Sequence, residues 1–554
     1  MDLEKKRKIR FNTMAIILII IFCIAISPKT LQNDTFYTIK IGEYILENGI
    51  TMQEPFAWHK NLEYTFPHWA YDVFIFLVYS LGGMTGIYIS TIALASILGI
   101  TMYYVNVKLL KNNSISFILT IGTLYLLQPY ICARAQLITF ILFILTIYFI
   151  EKFLETRKKR YAIGLIIIPI LIANIHLATF YFYFILYLPY IVEYMIYILA
   201  YCNVIISDSA VQNIKKKIKK QGETEELLEK LHKAEERYKK LKEKEDEKIN
   251  NPYKIRITYN KNIKILIIIF IICLFTGFLT PLGTTPYTYL IKTMQGISTK
   301  NISEHLPMIL ANSMQELILL VVYIGIIAFT KVKIRISDLF MLAGLILLSL
   351  MTRRQASMLF LIGVLILNRL ISELAIRYNK DIIKVLDEKS SKIISIIIIS
   401  ILVITISIFQ FKPKMNDKYV NEDSYPVQAA TWIKENLNIK EIKLYNEYNY
   451  GSYLIYQGIP VFIDSRCDLY MPEFNKDTYV FEDFLNINNM NLKDVEKKIE
   501  EYGFTHLILT SNAKFKIYLD DHPEKYKVIY PVDDIKDENF TIYERISKKW
   551  KKMF

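Results

Sequence analysis

MAIILIIIFCIAI, residues 14–26, is the stretch whose reading decides the fold. It carries no charge and, with its flanks, supplies the roughly 17–25 residues needed to cross ~30 Å of hydrocarbon. Comparable runs recur, among them IKILIIIFIICLF (263–275) and IISIIIISILVITISI (393–408), with uncharged cores. Of the 554 residues 53% are hydrophobic and 22% charged, with mean hydropathy +0.27. Charge and apolarity coexist at those levels only when segregated along the chain. The sequence reads as a polytopic membrane protein.

Before the first run stands MDLEKKRKIR, and after it SPKTLQ. The absence of a small-residue cleavage site, together with the spans that follow, makes this an uncleaved span with a cytoplasmic amino terminus. Further runs at 73–107, 115–130, 135–150, 162–175, 178–206, 263–280, 314–330, 338–351, 356–371 and 392–411 give about eleven crossings. The basic connectors 5–10, 108–111, 152–160, 215–264, 331–335 and 377–392 then all lie on the cytoplasmic side. There they meet anionic lipid, so the net charge of +14 implies no nucleic acid. The expected architecture is mainly α: a transmembrane helical domain (1–411) followed by an extracytoplasmic α/β domain (412–554). In the tail, EIKLYNE, PVFIDSR, THLILTS, YKVIYPV and NFTIYERI read as strands alternating with helices, a largely parallel layer with no phosphate loop.

Two insertions interrupt the spans. The cytoplasmic segment 208–262 is helix-forming and nearly all charged, with Leu227, Leu231, Ala234, Tyr238 and Leu241 on one narrow stripe. It reads as a solvated hairpin or as an arm that docks a protein partner. The first outer loop (28–72) is stranger. Between Asn33 and Asp72 it interleaves Asp34, Glu43, Glu54, His59, Glu63, His68 and Asp72 with nine aromatic residues. A plain connector has no need of that chemistry.

The same parity puts Arg134, His176, Glu304, His305, Arg353 and Arg354 on the outer side with that loop. Charges at membrane depth face cavities, pair with one another or mark substrate paths. Arginines can hold a phosphate bidentately and stabilise it as a leaving group, so Arg134, Arg353 and Arg354 are candidates for an anionic, lipid-carried donor. Asp34 or Glu54 could take a proton from an acceptor hydroxyl, or together bind a divalent cation such as Mg or Mn. His59, His68 and His176 could act as ligands, proton carriers or wall residues. Asp464 and Arg466 in FIDSRCDLY either pair structurally or cap the acceptor cleft. The five cysteines, at 23, 132, 202, 273 and 467, form neither a zinc motif nor a disulfide framework.

NDTFYTIKIGEYILENGI, EPFAW, PHWAYDVF, ARAQL, NIHLATF, TPLGTTPY, ISEHLP, TRRQASMLF and the tail YNYGSYLIYQGIPVFIDSRCDLY resemble a group of bacterial multi-pass membrane proteins in the GT-C glycosyltransferase superfamily. The resemblance covers most of the chain outside 208–262. It implies a plasma-membrane enzyme that moves a sugar from a polyprenyl-phosphate donor to an outer-surface glycan, lipid or protein. It also implies an acidic first-loop residue as base or metal ligand, placing that role on Asp34 and then Glu54. Two positions depart from the pattern. Asn33-Asp34 offers one acid where many members have a pair, and Trp69 follows His68 where an acid is common. Competing classes are a lipid-linked saccharide transporter or flippase and a non-catalytic membrane assembly protein.

Overall fold

The computed structural model describes residues 3–250, 255–491, 495–532 and 537–546, so parts of the expected insertion (251–254) and tail (547–554) lie outside the described residues. The chain is mainly helical. Among the described residues six helices are long and apolar enough to cross a membrane: Glu4–Ile26, Trp69–Leu110, Gln136–Thr156, Leu177–Ala200, Arg353–Tyr378 and Ile393–Lys414. The apolar runs at Ser114–Leu126, Ile263–Phe278, Met314–Phe329 and Ile336–Met351 are helical but only 10–17 residues long. At ~1.5 Å per residue such helices span less than the ~30 Å of a bilayer core, so length alone supports six crossings where apolarity suggested eleven. The long helix from Trp69 is broken at Gly83, whose φ of 57° and ψ of −149° are non-helical; only glycine adopts such a conformation without strain.

First and last apolar helices lie side by side. Arg10 donates to the Ser391 carbonyl at 2.7 Å at one end, and Lys414 to the Ile26 carbonyl at 2.6 Å at the other. The chain therefore enters the tail beside the point where it left its first helix. A buried box of charges pins three other helices: Arg335 meets Glu151 at 2.6 Å and Asp338 at 2.9 Å, and Arg369 meets Glu151 at 3.3 Å and also Asp338.

The stretch read as a first outer loop is half helix. Asn33–Asn48 turns helical, buries Phe36, Tyr37, Ile39 and Ile41, and stops at Gly49 with φ 76°. It is wedged between two neighbours. A Cβ on Gly42 would come within 2.1 Å of the Asp72 carbonyl on the following helix. On the other side the Phe36 ring meets Tyr425 and Tyr453 of the tail at 5.0 and 5.1 Å, edge-on, the favoured geometry for aromatic pairs. Residues 49–68 are irregular and bridge to the tail through Ala57 and Val461.

The tail's four-stranded sheet corrects the expectation of a largely parallel layer. In spatial order its strands are Leu444–Tyr445, His506–Thr510, Phe540–Arg545 and Tyr526–Tyr530. Only the first pairing is parallel. The last two strands are consecutive in sequence, and a short connection allows only an antiparallel return. PVFIDSR joins no named strand. Asn446 instead satisfies its backbone, accepting from the Phe462 amide at 2.9 Å and donating to the Ile463 carbonyl at 2.7 Å.

The charged insertion forms an antiparallel pair, Cys202–Gln221 and Glu225–Asn250, turning at Gly222 with φ 86°. Leu227, Leu231, Ala234, Tyr238 and Leu241 are each half-buried, on a helix that packs along its hairpin neighbour.

Candidate functional site

Four helix ends bring charged side chains to one cavity. The first turn of Asn33–Asn48 carries Asp34, where the helix dipole favours a carboxylate. Arg134 lies in the turn before Gln136–Thr156, and Arg354 in the turn between Ile336–Met351 and Ala356–Tyr378. Residues 302–308 run alongside that last turn: the Arg354 amide donates to the Glu304 carbonyl at 3.1 Å, the Arg353 amide to Leu306 at 3.0 Å and the Met308 amide to Leu350 at 3.1 Å. This lacing sets Glu304 between two guanidiniums.

The result is a relay of alternating charge. Arg134 Nη2 meets Asp34 Oδ2 at 2.6 Å, Arg134 Nη1 meets Glu304 Oε2 at 3.5 Å, and Arg354 Nη1 meets Glu304 Oε1 at 3.4 Å. His305 Nε2 stands 3.8 Å from Glu304. Burial works against the charge of Arg134, but Asp34 foremost and Glu304 outweigh it and raise its pKa. Burial would likewise raise the Glu304 pKa, and Arg354 and Arg134 reverse that and lower it. The His68 and His176 rings lie 5.2 Å apart, and His176 Nδ1 is 2.9 Å from the Thr139 hydroxyl. Burial first, then Arg354 and Arg134, lowers the His68 pKa to about 3, so His68 is a neutral imidazole.

These groups line a cavity of about 1000 Å³, closed on the tail side by Tyr448, Asn449 and Ser465–Asp468. Of the residues singled out in the sequence it gathers Asp34, His68, Arg134, His176, Glu304, His305, Arg354 and Arg466. Five others lie elsewhere. Arg353 is exposed, held in its turn by the Tyr130 hydroxyl donating to its carbonyl at 2.9 Å. A 3₁₀ turn cannot aim consecutive side chains the same way, and Arg354 takes the inward position. Asp72 is fully buried against the Gly42 helix, its carboxylate outside the lining. His59 docks on the tail, with Nε2–H donating to the Phe462 carbonyl at 2.8 Å and the ring stacked on Trp58 at 4.3 Å.

Glu54 and Asp464 are committed to Arg466. Glu54 receives Arg466 at 2.5 and 2.9 Å and also accepts from the Phe56 and Ala57 amides at 2.6 and 2.8 Å. Asp464 receives Arg466 at 2.7 and 2.8 Å and also the Tyr470 hydroxyl. The guanidinium sits 5.0 Å from the Tyr64 ring, 5.7 Å from Phe56 and 5.9 Å from Tyr37. Arg466 borders the cavity, yet each of its three guanidinium nitrogens is engaged by one or both acids. With its oxygens taken and its side chain 0% exposed, Glu54 cannot act as a base or share a cation with Asp34. Among the described residues no group of three or more His, Cys, Asp or Glu side chains is placed to hold a metal ion.

Sequence reasoning passed over Asp468. It lines the cavity and accepts from the Tyr289 hydroxyl at 2.5 Å and Thr293 Oγ1 at 3.3 Å; burial raises its pKa. The available signal was the i, i+2, i+4 series Asp464, Arg466 and Asp468 after an apolar run. No protein-family model and no curated protein matches the chain.

Proposed function

We propose that this protein is an integral-membrane glycosyltransferase that moves a sugar from a polyprenyl-phosphate donor to an outer-surface acceptor. In this reading the shorter apolar helices also cross or enter the membrane, giving about eleven passes, and the carboxyl-terminal segment forms an extracytoplasmic α/β domain. The GT-C resemblance motivates the reaction class.

One observation carries the reading. The polar cavity and an apolar groove of about 160 Å³ share Phe182, Ile185 and Leu348 as common wall, and the groove continues along Leu188, Val192, Met341 and Leu345. A polyprenyl-phosphate sugar has the same two halves, a charged head joined to an apolar chain. Arg134 and Arg354 hold the phosphate and stabilise it as it leaves. Asp34 accepts the proton of the acceptor hydroxyl as its oxygen attacks the anomeric carbon. The sugar–phosphate C–O bond breaks with its electron pair on the phosphate. Neutral His68 and His176 furnish hydrogen-bonding wall for the sugar. A transporter places its site near the membrane midplane, commonly between repeated halves, whereas this cavity lies among helix ends.

Substituting Asp34→Asn should abolish transfer at unchanged protein level, read by mass spectrometry of lipid-linked and surface glycans. Glycans identical to those of the unsubstituted protein would refute the assignment.

A further inference from the structure

Within the relay the charges cancel. Arg134 and Arg354 are balanced by Asp34 and Glu304, so the pair of guanidiniums has no net charge to offer an added anion until one carboxylate leaves. The two carboxylates are held differently. Asp34 has a 2.6 Å contact with a single arginine, comes from the first turn of a helix and is 25% exposed. Glu304 reaches two arginines at 3.4 and 3.5 Å, comes from a non-helical segment and is 40% exposed. Its grip is looser than the 2.7–2.9 Å of a well-made charge-assisted hydrogen bond. Its two oxygens also span two guanidiniums as two phosphoryl oxygens would.

We propose that Glu304 is an internal stand-in for the ligand's phosphoryl group: it bridges Arg134 and Arg354 and yields both contacts when a phosphate or pyrophosphate enters. The backbone lacing of residues 302–308 to the turn at 352–354 stays in place, so exchange needs only rotation of the Glu304 side chain. Asp34 keeps Arg134 aimed into the cavity throughout. The device explains why a half-buried cationic pair carries a loosely held acid beside a tightly held one. Specificity follows too: an anion must engage both guanidiniums to displace a carboxylate that does, so a monodentate anion exchanges poorly. The proposal rests on the phosphate-cradle reading of Arg134 and Arg354, and not on glycosyl transfer.

The test is calorimetric titration of the full-length, detergent-solubilised protein with inorganic pyrophosphate at fixed low ionic strength. Glu304→Gln should bind pyrophosphate about tenfold more tightly than the unsubstituted protein, a change of about 1.4 kcal/mol. Arg354→Gln should abolish binding. If the Glu304→Gln protein is not recovered folded, Glu304→Asp, one methylene too short to bridge both guanidiniums, keeps the charge and should also bind more tightly. Equal or weaker binding by the folded Glu304 variant, with Arg354→Gln still abolishing it, overturns the exchange and leaves the cradle standing. Failure of every form to bind pyrophosphate overturns both.

Discussion

At the scale of single residues, the chemistry splits between groups that face the cavity and groups that hold its walls. His59 belongs to the walls, and its titration makes that measurable. Burial lowers its pKa from 6.5 to about 4. The folded protein therefore binds a proton less readily than the unfolded chain, which puts the stabilisation fully in force above the unfolded value and removes it as pH falls from 6.5 towards 4. At about 1.4 kcal/mol per unit the loss approaches ~3 kcal/mol. Thermal unfolding in detergent should fall in midpoint across that window, and His59→Gln, which can still donate to the Phe462 carbonyl, should flatten the slope. An equal slope in both proteins would remove His59 from the wall. In sequence His59 and His68 look equivalent, nine residues apart among aromatics; which one meets the cavity is set by a tail some four hundred residues away, beyond the reach of local pattern.

At the scale of elements, apolar runs were readable because burial in hydrocarbon demands long uncharged stretches. Helix Asn33–Asn48 was hidden by its polar face of Lys40, Glu43 and Glu47 and by the search for catalytic groups among them. The antiparallel close of the tail sheet was hidden because strand order does not show in strand pattern. The charged hairpin was legible as helix, and its stripe is half-buried along its own partner helix. Deleting residues 215–248 should therefore leave cavity chemistry and thermal midpoint unchanged. Under the proposed glycosyl-transfer reading, loss of glycan products on deletion, at normal protein level, would instead show that the arm is required.

Across the whole molecule, the cavity exists only because the two ends of the chain meet. Arg466 is the joint, with one guanidinium serving Glu54 from the first segment and Asp464 from the tail inside an aromatic cage. Arg466→Met would strand two buried carboxylates and should cost ~3–5 kcal/mol, seen as a large drop in thermal midpoint or in recovered protein. Neutralising both acids in the same chain (Glu54→Gln, Asp464→Asn) should restore much of it; a triple variant as unstable as the single one would place the fault elsewhere. That residues 54, 464 and 466 form one unit was not legible: each motif looked like a site on its own, and their union depends on Arg10–Ser391 and Lys414–Ile26 laying the first and last helices together. Glu54 and Arg466 are 412 positions apart. At the ~5–20 residues per second of synthesis, Glu54 waits roughly 20–80 s for its partner. Any chain that stops short of Arg466 leaves Glu54 without that guanidinium. The joint can form only once residue 466 has been made, so truncation before it leaves the two ends of the chain unfastened.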